Sequence, residues 1–139
     1  MATLIRPEIS LGNKYWISKH RHYELKHFCL QYPEWKKKYE EMRDMCLTAT
    51  IWDRMPSSNN PGDLTAKYAI KQAYYSNKIK MIEQAALEAD EYLWSYILKA
   101  VTEGLSYTYL KSQMEIPCSK DTYYDRYRRF FWLLNEVRD

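Results

Sequence analysis

The sequence predicts an all-α protein, a compact helical domain of five or six helices with a C-terminal helix-turn-helix. Three observations carry this. Apolar residues recur at intervals of three and four, and no stretch alternates apolar and polar long enough for a strand. With Gly at 3 and Pro at 5 in 139 residues, collagen, flexible low-complexity chain and turn-rich all-β folds are excluded. Capping and stop residues fall between the periodic stretches, at Pro33, Asp63, Asp90, Gly104, Ser106 and Ser119.

The first helix is expected over Tyr15 to Gln31, with Trp16, His20 or Tyr23, His27 and Leu30 at helical spacing. Pro33 suits the first turn of a second helix, which runs to Ala49. Its stripe is Trp35, Tyr39, Met42, Met45 or Cys46, and Ala49. Residues 53–63 hold Pro, Ser, Asn and Gly and are expected to form an exposed loop. Asp63 can cap a long helix to about Ala89, with Ala66, Ile70, Ala73, Asn77, Met81 and Ala85 as its packing stripe. Asp90 can cap the next, through Leu93, Tyr96, Ile97, Ala100 and Val101, which Gly104 stops. The organisation is then a basic, aromatic helical pair over 1–52, the loop, and a long helix with a helix-turn-helix over 64–139, packed as one domain.

The last third carries the functional signal. Ser106 caps a short helix from Tyr107 to Glu115, with Leu110 and Met114 inward. Ile116-Pro117-Cys118 makes a tight apolar turn, and Ser119 caps a longer helix with Asp121 in its first turn. Leu110, Met114, Ile116 and Tyr123 fall where a helix-turn-helix places its inward residues. At 100° per residue, Tyr123, Tyr127 and Phe130 face inward. The opposite face holds Asp121, Asp125, Arg128, Arg129 and Trp132, with Lys120 and Tyr124 toward its edge. Trp132 on that side predicts cover from a further helix or a second subunit. Arg126 sits beside the inward stripe, within reach of phosphate or an internal acid.

Residues 96–139, above all Ile97 to Tyr107 and Ile116 to Phe131, resemble phage and prophage regulators of the RinA/ArpU type. That family is similar to the DNA-binding last region of sigma factors. The resemblance rests on Pro117 before the recognition helix, then Tyr123-Tyr124 and Arg128-Arg129. It covers about a third of the chain. It implies a DNA-binding transcriptional regulator, with Lys120, Tyr124, Arg128 and Arg129 contacting double-stranded DNA. A homodimer is expected through the long helix 64–89 or Trp132, because one such unit seldom binds tightly alone. Asp121 and Asp125 repel phosphate and keep two other readings open. One is a small phage protein that docks on and inhibits a host nucleic-acid-processing protein; the other is a terminase small subunit. The segment from Lys14 to Tyr39 also resembles a shared part of small prophage proteins.

Charge and chemistry narrow the classes. Net charge is +3, and the excess lies early: residues 1–60 hold 10 Lys+Arg against 7 Asp+Glu, and 61–139 hold 11 against 11. Lys36, Lys37, Lys38 and Arg43 can touch phosphate, yet Glu34, Glu40 and Glu41 intervene, and a solvated face is the simpler reading. Tyr15, Trp16, Trp35 and Trp52 could stack on bases, but their helical spacing favours core packing. His20, Glu24 and His27 share a helix face without a fourth metal ligand, so a polar face is expected and no metal. Cys29, Cys46 and Cys118 form no Cys-x-x-Cys and read as small thiols in a reducing cytoplasm. His27 and Cys29 at i, i+2 point apart and make no nucleophile–base pair. No phosphate loop or hydrolase motif occurs, so neither an enzyme nor a cofactor is expected. The start lacks a basic stretch followed by an apolar run, and no signal peptide or membrane span is expected.

Overall fold

A computed structural model describes residues 13–53 and 61–138, and among them lie six helices and no strand. The protein is all-α. In order they are α1 Lys19–Leu30, α2 Tyr32–Asp53, α3 Pro61–Ala89, α4 Trp94–Glu103, α5 Tyr107–Met114 and α6 Lys120–Val137. The chain divides into two units. One joins Met1–Gln31 to Met81–Asp139, and the other is Tyr32–Lys80. The division cuts across the grouping 1–52 and 64–139, because the first half of α3 belongs to one unit and the second half to the other. Of the expected 53–63 loop, Asp53 ends α2 and Pro61 to Asp63 open α3, while 54–60 lie outside the described residues. Asp63 therefore falls in the first turn of α3, and Pro61 takes the opening position that a missing N–H suits.

The larger unit is built on contacts of α1 with α4, α1 with α6, and α4 with α6. Its core holds Leu25, Phe28 and Cys29 of α1, Ile97, Ala100 and Val101 of α4, Leu110 of α5, and Tyr123, Phe130, Phe131 and Leu134 of α6. The second half of α3 adds Ile82, Ala85, Ala86 and Ala89. In the smaller unit Trp35, Ala49 and Ile79 are buried, and the Lys78 ammonium lies 5.3 Å from the Trp35 ring.

Two expected faces are corrected. In α1 the inward residues are His22, Leu25, Phe28 and Cys29, whereas Trp16, Tyr23 and Leu30 are exposed, as are His20 and His27. The helix also starts four residues later than Tyr15. Asn13 Oδ1 accepts from the Tyr15 N–H at 2.8 Å and its carbonyl from the Trp16 N–H at 3.0 Å, so a separate turn precedes the helix. Of the α3 stripe, Ala66, Ile70, Ala73 and Asn77 are exposed, Met81 is half-buried and Ala85 is buried, and the packed line is Ile79, Ile82, Ala85 or Ala86, and Ala89. The α2 stripe stands, with Cys46 rather than the exposed Met45 turned inward.

The breaks between the last helices follow from local chemistry. Asp90 Oδ1 accepts from the N–H groups of Tyr92 and Leu93, and so organises the turn before α4. Gly104 closes α4 in the left-handed region at φ 71°. Glu115 closes α5 in the same region at φ 53°, a conformation costly to a residue with a Cβ. The N–H of Ile116 then donates to the Leu110 carbonyl at 3.1 Å, and both side chains are fully buried.

Phe130→Ala should lower unfolding free energy by roughly 3–5 kcal/mol, through lost burial and the cavity left behind. Val137→Ala, at an exposed position of the same helix, should change it by less than about 0.5 kcal/mol; urea denaturation reads both. Glu115→Gly should raise stability by about 0.5–1 kcal/mol, the left-handed strain less the added chain entropy of glycine. A lower urea midpoint for Glu115→Gly would show that the strain is not there.

Candidate nucleic-acid interface

The site candidate is the α5–turn–α6 segment. Ser106 Oγ accepts from the Tyr109 N–H at 3.2 Å, and Ser119 Oγ from the Thr122 N–H at 3.2 Å, so serine caps start both helices as the sequence requires. Leu110, Ile116 and Tyr123 are fully buried between them, and Met114 is half-buried. The Tyr107 hydroxyl donates to the Cys118 carbonyl at 2.6 Å and ties the start of α5 to the turn.

The two ends of α6 have different surroundings. Its C-terminal half is held from several directions, with Glu136 and Val137 left exposed at its end. Phe131 meets the His22 ring edge-on at 4.7 Å, and Asn135 Oδ1 accepts from Arg21 Nε at 2.6 Å. Arg21 also donates to the Arg138 carbonyl. Trp132 lies 5.8 Å from the ring of Tyr15, so the segment before α1 supplies cover expected from another helix or subunit. In the first turn, by contrast, Lys120, Asp121 and Thr122 are exposed.

The four expected DNA contacts separate. Lys120, Tyr124 and Arg128 follow one line along α6 at intervals of four. Lys120 is exposed and the other two are half-buried. The Tyr124 ring stands edge-on to Tyr123 at 5.1 Å and to Tyr127 at 5.8 Å. Burial raises its pKa, and a hydrogen bond with the Tyr107 backbone works the other way. Arg128 Nε is buried with no hydrogen-bond partner among the described residues. Arg129 diverges to another side: it donates to the Glu88 carbonyl and to the Tyr15 hydroxyl, each at 3.3 Å. That hydrogen bond, helped by Lys14 and opposed by burial, holds the Tyr15 phenol below its ordinary pKa. Arg126 reaches an internal acid, Asp90, at 3.4 Å, and Asp125 at 3.7 Å.

Sequence reasoning passed over the Lys14–Tyr15–Arg129 cluster and His22. Tyr15 joins Arg129 across 114 positions, a separation that no local periodicity reports. Of the candidate metal face, Glu24 pairs with Arg21 at 2.8 Å and lies 3.9 Å from Arg138. No group of His, Cys, Asp or Glu among the described residues could hold a metal ion. The cysteines are free thiols; burial pushes Cys29 far up in pKa, and it raises Cys118 with help from Asp90. No described helix is long and apolar enough to cross a membrane. Comparison with known proteins returned no matching family model, curated protein or solved structure.

The Tyr123 hydroxyl is buried with no hydrogen-bond partner among the described residues, so Tyr123→Phe should raise stability by about 1 kcal/mol. Burial raises the folded pKa of this phenol above its ordinary 10.0. Its contribution is fully present below that value and is lost as pH rises past it, because only the unfolded chain then ionises freely. Tyr123→Phe should therefore flatten the alkaline fall in melting temperature, and a lower urea midpoint at neutral pH would overturn the assignment.

Proposed function

We propose that the α5–α6 segment binds double-stranded DNA and that the protein is a transcriptional regulator of phage or prophage type. The observation that carries this is the uneven burial of α6. Its C-terminal half anchors a core, while its capped N-terminal turn, led by Lys120, stays open beyond a short helix and a turn. A helix that reads the major groove needs that division, since its first residues meet the base edges and its later ones hold it on the domain. The contact set is Lys120 and Arg128, with Tyr124 between them; the resemblance to RinA/ArpU-type regulators supports the same line. Arg129, engaged with Tyr15 and Glu88, serves the domain instead.

A second reading is favoured by Asp121, exposed in the first turn, and Asp125 one turn on. Two carboxylates beside the groove oppose phosphate and would suit a basic protein surface, as in an inhibitor of a nucleic-acid-processing protein.

Fluorescence anisotropy with duplexes from the gene's own locus should show binding that falls steeply with salt. Lys120→Ala should reduce the salt slope by about one unit if Lys120 holds phosphate. Arg128→Ala should cost about 1–3 kcal/mol at one base position if it pairs with guanine. No binding to any such duplex at about 50 mM salt overturns the regulator reading. Asp121→Asn with Asp125→Asn should strengthen non-specific binding; loss of a protein partner with DNA affinity unchanged would assign the face to the second reading.

A further inference from the structure

The unit Tyr32–Lys80 leaves apolar side chains in water on both of its helices. Ile70 is 70% exposed, Ile51 62%, Leu47 59%, Tyr74 57%, Met45 44% and Leu64 42%. On α2, Glu40, Asp44, Leu47 and Ile51 follow one another at intervals of four, three and four, which is one helix stripe. On α3, Lys67, Ile70 or Lys71, and Tyr74 do the same. Each stripe lies opposite its own helix's packed side, which Trp35, Cys46 and Ala49 form on α2, and Ile79 with half-buried Tyr68, Gln72 and Tyr75 on α3.

The charges of the two stripes have opposite sign. Between Tyr39 and Trp52, α2 carries Glu40, Glu41 and Asp44 against the single Arg43. Between Leu64 and Ile82, α3 carries Lys67, Lys71, Lys78 and Lys80 and no acid. Two α3 stripes laid together would bring Lys67 and Lys71 of both copies, four ammonium groups, to one seam, which opposes pairing of α3 with itself. An α2 stripe laid on an α3 stripe brings Glu40 and Asp44 to a face that carries Lys67 and Lys71, with Leu47, Ile51, Ile70 and Tyr74 as its apolar part.

We propose that two copies of this chain pair through this unit, with the outer α2 stripe of each copy on the outer α3 stripe of the other. A two-fold axis makes both contacts at once, the self-complementary arrangement of a closed dimer. Taking roughly 200 Å² for each large apolar residue, the four on the stripes present on the order of 500 Å² per copy, and the flanking charged side chains extend this toward the about 800 Å² per partner of a standard interface. The pairing does not depend on the DNA reading, since the residues proposed to contact DNA lie in the other unit.

Sedimentation velocity on the full chain tests it. The wild type should sediment at twice 16.9 kDa at about 50 µM and shift toward the monomer on dilution. Ile51→Gln/Ile70→Gln removes apolar surface already in water, so its melting temperature should hold while the dimer dissociates at least tenfold more readily. Lys67→Glu/Lys71→Glu and Glu40→Lys/Asp44→Lys should each weaken the dimer about tenfold, more at low salt, and the four changes together should restore it. A wild type that stays monomeric up to about 200 µM overturns the proposal. So does a dimer untouched by Ile51→Gln/Ile70→Gln, or charge changes that fail to rescue each other. A chain that dimerises as described and ignores duplex DNA overturns the proposed function alone.

Discussion

Phe130 and Phe131 are consecutive on α6, and both are fully buried. Neighbouring side chains on a helix diverge by about 100°, so no single flat partner can cover both. The chain has to bring cover from two directions. α4 and α1 both contact α6, and His22 of α1 meets the Phe131 ring edge-on while Phe130 and Tyr127 stand edge-on to it from α6 itself. Once α6 is wrapped in this way, the ends of the remaining elements follow. The segment around Tyr15 closes over Trp132, and α1 is held to the end of α6 through Arg21 and Asn135. A helix held through Phe130, Phe131 and Leu134 can leave its first turn in water without losing its place.

The same wrapping explains which parts of the sequence could be read directly. From Leu93 onward, strong apolar residues recur at helical spacing, Gly104 stops one helix, and serines start the next two. There, one face is much more apolar than the others, and boundaries and faces follow from it. α1 offers no such contrast. Trp16, Tyr23 and Leu30 compete with Leu25, Phe28 and Cys29, and the first set was as regular as the second. What decides the face is that α1 packs on α4 and α6, helices far along the chain. α3 misleads for a different reason. Alanine at 66 and 73 is compatible with close packing and with exposure alike, so its spacing does not distinguish them.

Charge was less legible than shape. Arg126, Arg128 and Arg129 form one basic cluster in the sequence, yet they leave α6 in three directions. Arg126 turns to Asp90, and Arg129 to Tyr15 and the end of α3. Each of those partners lies dozens of residues away, and only the folded chain selects them. Arg128 alone continues the line of Lys120 and Tyr124. A count of basic residues would therefore overstate the charge this helix can offer a phosphate backbone. It is the position of Lys120 in the open first turn, more than the Arg pair, that supports a groove-reading role.

The exposed side of α3 needs no cover to stay helical. Ala66, Lys67, Ala69, Lys71, Gln72 and Ala73 are strong helix formers, so this stretch can remain helical without cover on every face. Helix formation thus places no demand on Ile70 or Tyr74, and solubility opposes both. The same holds on α2, where Leu47 and Ile51 project away from the side that buries Trp35 and Ala49. Four large apolar residues at positions where neither helix propensity nor the unit's own core requires them need another physical reason, and burial against a complementary surface is the one that their flanking charges specify.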